Sequence, residues 1–173
     1  MKLIDTLKEF INRWYKRFKV FTHLFAIWAV IYSTINICNI KVAFEYNDGI
    51  MFLAKNKDSS IIEERTKILP SLLAIFMKFI GIKIDIIVDE NDINPKKAFF
   101  VDEIYTVKDQ NEKYQILENK KYLIFFSNSD EGIIQARKAQ IIPIRIKRNP
   151  KSKNDLMYNP GNFNETILPL SDI

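Results

Sequence analysis

The residues best placed to do chemistry lie in KVAFEYNDGIMF, Lys41 to Phe52. This stretch has the shape of a buried strand running into a phosphate-handling loop. Two positions where such a loop usually carries aspartate instead hold Glu45 and Asn47, followed by Asp48 and Gly49. Glu45 is one methylene longer than aspartate, which moves its carboxylate by about an ångström. Asn47 carries an amide that can neither give nor take a proton. Read locally, Asn47-Asp48-Gly49 is a hairpin turn joining 41–46 to 50–55. Read in an α/β setting, it is the loop at the carboxyl end of a buried strand.

The elements that must position this loop favour the second reading. Ser60 followed by Glu63 is a capping-box signal for a helix start, Pro70 restarts the helix, and an apolar run reaches Gly81, a plausible stop. Ile82–Val88 reads as a strand, Ala98–Tyr105 is another apolar stretch, and Glu112–Lys120 suits either strand or helix. Tyr122–Ser127 is an uninterrupted apolar strand of the kind that is covered on both faces. Residues 130–140 look helical. Ile141–Lys147 is a final strand, and Pro143 places it at or near a sheet edge. Strands alternating with helices imply a mostly parallel sheet, with ligands at the carboxyl ends of its strands.

The first forty residues differ in kind. Of the net charge of +5 over 173 residues, +4 lies before residue 41. The basic character therefore belongs to the N-terminus and argues against nucleic-acid binding by the domain. Residues 1–19 form a basic, aromatic amphipathic helix suited to an anionic membrane surface. Residues 20–40 carry no formally charged residue and are long enough to span a membrane. Basic residues before the span put the N-terminus in the cytoplasm and the domain outside the inner (cell) membrane, on the periplasmic side where there are two membranes. No small-x-small site follows the span, and Ile37 before Cys38 disfavours lipoprotein cleavage. His23, the single histidine, reads as a packed or interfacial residue, and Cys38, the single cysteine, cannot form an intrachain disulfide.

KVAFEYNDGIMF and the later YLIFFSNSDEGIIQARKAQIIPIRIKRNP together resemble the haloacid dehalogenase superfamily, and within it the class B acid phosphatases. The resemblance covers most of residues 41–173. Its most specific part is Ser127-Asn128-Ser129-Asp130-Glu131-Gly132, then Ala136-Arg137, Ile144-Arg145-Ile146 and the tail element Gly161-Asn162-Phe163-Asn164-Glu165. It implies a Rossmann-like three-layer α/β domain at 41–149, with a tail, 150–173, packed on it. It also implies an aspartyl-phosphate mechanism assisted by magnesium.

Carried over residue by residue, the nucleophile falls at Glu45, the acid/base at Asn47 and the phosphate-pairing lysine at Lys113. The phosphate-binding positions fall at Gly49 and Asp89, and the metal positions at Glu45, Asn128 and Asp130. The family's last metal-binding acid is replaced by Gly132. These departures suggest a domain that kept the fold after catalysis was dropped: a single-pass pseudo-phosphatase acting as a scaffold or interaction module among protein partners of the envelope, with no cofactor. The alternative is an active phosphomonoester hydrolase of altered chemistry, with magnesium. A third reading, independent of the resemblance, is an unrelated α+β domain in which 41–46 and 50–55 form a hairpin.

Overall fold

The computed structural model describes residues 2–55, 62–90, 98–153 and 156–168. One helix, α1 (Lys2–Ile37), covers both the amphipathic stretch and most of the expected span without a break. Within it, Glu9–Ile37 is long and apolar enough to cross a membrane, and its aromatic and aliphatic side chains are largely exposed. The helix ends in a Schellman motif: Ile40 N donates to Ile35 O, Asn39 N donates to Asn36 O, and Asn39 takes the left-handed conformation.

The chain then enters a six-stranded, wholly parallel sheet in the order β5-β4-β1-β6-β7-β8. Its strands are β1 (Lys41–Glu45), β4 (Lys83–Asp89), β5 (Glu103–Val107), β6 (Ile124–Ser127), β7 (Ile142–Ile146) and β8 (Thr166–Leu168). β1 is central, between β4 and β6, which excludes the hairpin pairing of 41–46 with 50–55. Residues 51–55 form β2, which pairs antiparallel with β3 (Ile62–Thr66) in a separate two-stranded sheet. This corrects the helix start expected near Glu63. Five residue pairs of the β2–β3 ladder outweigh a local capping signal, and Ser60 itself lies outside the described residues.

Helices cover both faces of the large sheet, giving three layers. Val42, Phe44, Ile84, Ile86, Val88 and Phe126 point to the face under α2 (Ile68–Phe79), and the Phe44 and Phe126 rings stack 4.3 Å apart. Ala43, Ile87 and Phe125 point to the opposite face, under α3 (Gln110–Lys120) and α4 (Asp130–Lys138). α2 accepts Pro70 because a proline in the first helical turn forfeits no intrahelical donor. It stops as the sequence suggested, at Gly81 with φ +97°. α3 starts at Asp109, whose carboxylate accepts from the backbone N–H groups of Asn111 and Glu112. β7 lies one strand in from the edge, because the tail supplies β8 beyond it.

Candidate functional site

The chain leaves β1 toward β4 and β5 on one side and returns to β6, β7 and β8 on the other. The crevice between the carboxyl ends of β1 and β6 is therefore the point where connections diverge, the usual ligand position in such sheets. Glu45 ends β1 and Ser127 ends β6. The loop after Glu45 is tight. Met51 N donates to Tyr46 O at 3.1 Å, Asp48 N donates to Met51 O at 2.5 Å, and Asp48 has φ 57°. A Cβ on Gly49 would lie 1.7 Å from Glu45 O, so only glycine fits this close backbone approach.

Glu45 is 2% exposed and its carboxylate is saturated. Lys113 Nζ donates to Oε1 at 2.9 Å, Ser127 Oγ donates to Oε2 at 2.6 Å, and Ser129 Oγ reaches both oxygens at 3.2 Å. Asn128 N approaches Oε2 at 3.3 Å. Each serine hydroxyl spends its proton on Glu45 and accepts a backbone N–H in return: Ser129 N for Ser127, and Gly132 N for Ser129. Ser129 is thus both the N-cap of α4 and a ligand of the carboxylate. Gly132 makes the arrangement possible, since a Cβ there would lie 2.1 Å from Ser127 Oγ.

Lys113, 1% exposed on α3, also pairs with Asp89 at 3.2 Å; Asp89 ends β4 and is partly exposed. Burial alone would raise the Glu45 pKa. The Lys113 ammonium and the hydroxyls of Ser127 and Ser129 outweigh it and hold the carboxyl below its ordinary value. For Lys113, burial would lower the pKa, but Glu45 and then Asp89 raise it above the ordinary lysine range. Both groups are therefore charged at neutral pH.

A second buried network lies beside the first. Arg145, fully buried on β7, donates to Asn128 O at 2.8 Å and to Glu165 at 2.5 Å. Its Nη2 lies 2.9 Å from Asp130 Oδ1, close enough for an ion pair though not aligned as a hydrogen bond. Asp130 accepts from Asn159 N at 2.9 Å and from Asn159 Nδ2 at 2.7 Å. The Tyr158 and Phe163 rings lie 5.5 and 5.9 Å from the guanidinium. The tail is therefore tied to the domain at Arg145, at Asp130 and along the β7–β8 ladder.

The structure brings Glu45, Lys113, Asp89 and Asn128 together. Asp130 faces Arg145 and the tail. Asp48 is fully buried, accepts from Ser152 Oγ and lies 3.9 Å from Arg148. Asn47 forms a bridge with Met51. Both polar atoms of the buried Asn128 side chain lack a hydrogen-bond partner among the described residues. Sequence reasoning assigned no role to Ser127, Ser129 or Arg145. The arginine had one available signal, a charge inside an otherwise apolar strand, Ile141–Ile146.

The fold and site define the class: an α/β protein with a parallel six-stranded sheet, an N-terminal apolar helix and a buried Glu–Lys–Ser cluster at the sheet's switch point. No protein-family model matches the chain, and no curated protein matches it.

Proposed function

We propose that the chain is a single-pass membrane protein of haloacid dehalogenase descent whose domain is a pseudo-phosphatase, serving as a scaffold or interaction module in an envelope assembly. The observation that carries this reading is the state of Glu45. At the nucleophile position, its two oxygens already accept from Lys113, Ser127 and Ser129, and the group is almost wholly buried. A nucleophile needs a free oxygen facing its substrate. A phosphate would also meet two carboxylates, Glu45 and Asp89, balanced by a single lysine.

The donor set does not fit magnesium, which binds through free carboxylates with near-octahedral geometry. Glu45 is saturated, Asn128 is neutral, and Asp130 is engaged by Arg145 and Asn159. Among the described residues, no three of His, Cys, Asp and Glu are grouped to hold a metal. The reading places the N-terminus in the cytoplasm and the domain outside, on the strength of the basic residues before the span.

The test is hydrolysis of a generic phosphomonoester by the full chain in nanodiscs, with magnesium, from acid to neutral pH, beside an active class B phosphatase. The expected rate is that of buffer. Magnesium-dependent turnover that Glu45→Gln abolishes would overturn the proposal. It would establish instead the second reading, a phosphatase of altered chemistry, which the 2.9 Å Lys113–Glu45 pair favours. Reporter enzymes fused before Met1 and after Ile173 test the orientation.

A further inference from the structure

We infer that α2 is a second membrane-embedded element, with its outward face lying in the lipid beside α1. The outward stripe of α2 is Ile68, Leu72, Phe76 and Phe79, each between 54% and 61% exposed. These positions recur at helical spacing and present no charge. The one charged residue in the helix, Lys78, is paired with Asp102. Beside the helix, Phe99 is 82% exposed, and it shares with Ile75 and Ser71 an apolar groove of about 430 Å³.

An apolar face alone does not name its occupant; its continuity with α1 does. Trp28 Nε1 donates to Phe79 O at 3.1 Å, and the Trp28 and Phe79 rings are 5.4 Å apart. Gly81 permits this junction, because a Cβ there would lie 2.7 Å from Asn36 Nδ2 and 3.0 Å from the Tyr32 ring. The depth of Trp28 follows from the sequence of α1. Arg13, Lys16, Arg17 and Lys19 end the basic segment, and no charge follows until Lys41. Sliding the span toward the N-terminus to lift Trp28 to the surface would bury those cations, at about 2.5–3.5 kcal/mol for each one near the bilayer centre. With the charges in water, Trp28 lies about 13 Å along the helix from Ile37, at 1.5 Å per residue. That is well inside a hydrocarbon layer about 30 Å thick. Phe79 touches Trp28 and so lies at the same depth. The sheet begins where the span ends, with Lys41 and Lys83 paired in register at the starts of β1 and β4, suited to the headgroup level.

This inference rests on α1 crossing the bilayer, and the experiment separates the two. In the full chain with Cys38→Ser, single cysteines replace Leu72, Phe76, Ile27 in the span, or Lys138 on the opposite face of the domain. Each carries an environment-sensitive fluorophore, and the protein is placed in phosphatidylcholine/phosphatidylglycerol vesicles. The expected result is blue-shifted emission at 72 and 76, lost to nitroxide-bearing lipids as at 27 and spared by aqueous iodide, with iodide quenching only at 138. Iodide quenching at 72 and 76 would overturn the inference. Protection there from both quenchers would also overturn it, by showing a protein surface, such as a second copy of the chain, over α2. Iodide quenching at 27 would instead remove the span on which the inference stands. Unchanged Trp28 emission in a Trp14→Phe background shows that each unlabelled variant keeps the α1–α2 junction.

Discussion

Replacing Lys113 with methionine tests the central claim about the site. The ammonium is 1% exposed and the Glu45 carboxylate 2%, at 2.9 Å. Removing one partner of a buried pair strands the other charge, which costs about 3–5 kcal/mol. Glu45→Gln should cost less, about 1.5–3 kcal/mol, the range for a hydrogen bond to a charged group, because Lys113 keeps the partly exposed Asp89 at 3.2 Å. The double variant should lose less than the sum of the two, with a coupling of about 0.5–3 kcal/mol. Urea unfolding of the full chain in detergent micelles, followed by near-UV circular dichroism, reads the domain's packed rings.

The pH dependence has a definite sign. The Glu45 pKa is lowered in the fold, so its stabilisation is complete above the ordinary 4.5 and is lost as pH falls through the folded value. Lys113 is raised, so its contribution is complete below 10.5 and is lost only as pH rises through the higher folded value. Asp85 works against Glu45 in acid: burial first, then Glu103 and Asp102, raise its pKa despite the Tyr122 hydrogen bond, so its protonation favours the fold. The difference between wild type and Glu45→Gln cancels Asp85 and should shrink below pH 4.5. A loss under about 1 kcal/mol for Lys113→Met, the range of exposed pairs, would refute the buried-pair reasoning.

Three further outcomes follow from the packing. Gly132→Asp should destabilise the domain by about 1–3 kcal/mol through overpacking against Ser127 Oγ, and Ser127→Gly in the same chain should restore part of it in the same urea assay. Asn128→Leu should cost less than about 1 kcal/mol or raise the urea midpoint, because an amide buried without partners already bears its desolvation penalty. Arg145→Met should release the tail by leaving Glu165 and Asp130 uncompensated, and limited proteolysis should then cut between 150 and 165 before the domain unfolds.

The strands that build the core were legible because each is a short, mainly apolar run: 41–45, 83–89, 124–127 and 142–146. α3 was ambiguous because its inward positions, Lys113 and Leu117, include a lysine, so no apolar stripe marks the helix. β3 was missed, and 50–55 was read as a strand only in a hairpin with 41–46, because β2 and β3 are held by each other and such pairing is invisible to a local reading. β8 has three residues, pairs only with β7 and follows directly on Glu165, the partner of Arg145. In the site, Glu45, Asn128 and Lys113 were singled out by their resemblance to catalytic positions. The serines were not, because a hydroxyl acquires a role only once the carboxylate it serves has been placed in three dimensions.

That placement also changes how the departures at the site relate to one another. Under the descent proposed above, Glu45, Gly49 and Gly132 would read as separate losses. In the fold they form one packed unit. The longer Glu45 side chain reaches the hydroxyls of β6 and α4, and Ser127 occupies space that only a glycine at 132 leaves open. Gly49 lets its own backbone lie against Glu45 O. Putting threonine at 49 or an acid at 132 would therefore strike atoms already in place. A chain with aspartate at 45 would keep Lys113, Ser127 and Ser129 around a shorter carboxylate. The cluster joins β1, β6, α3 and α4 around the buried Lys113–Glu45 pair.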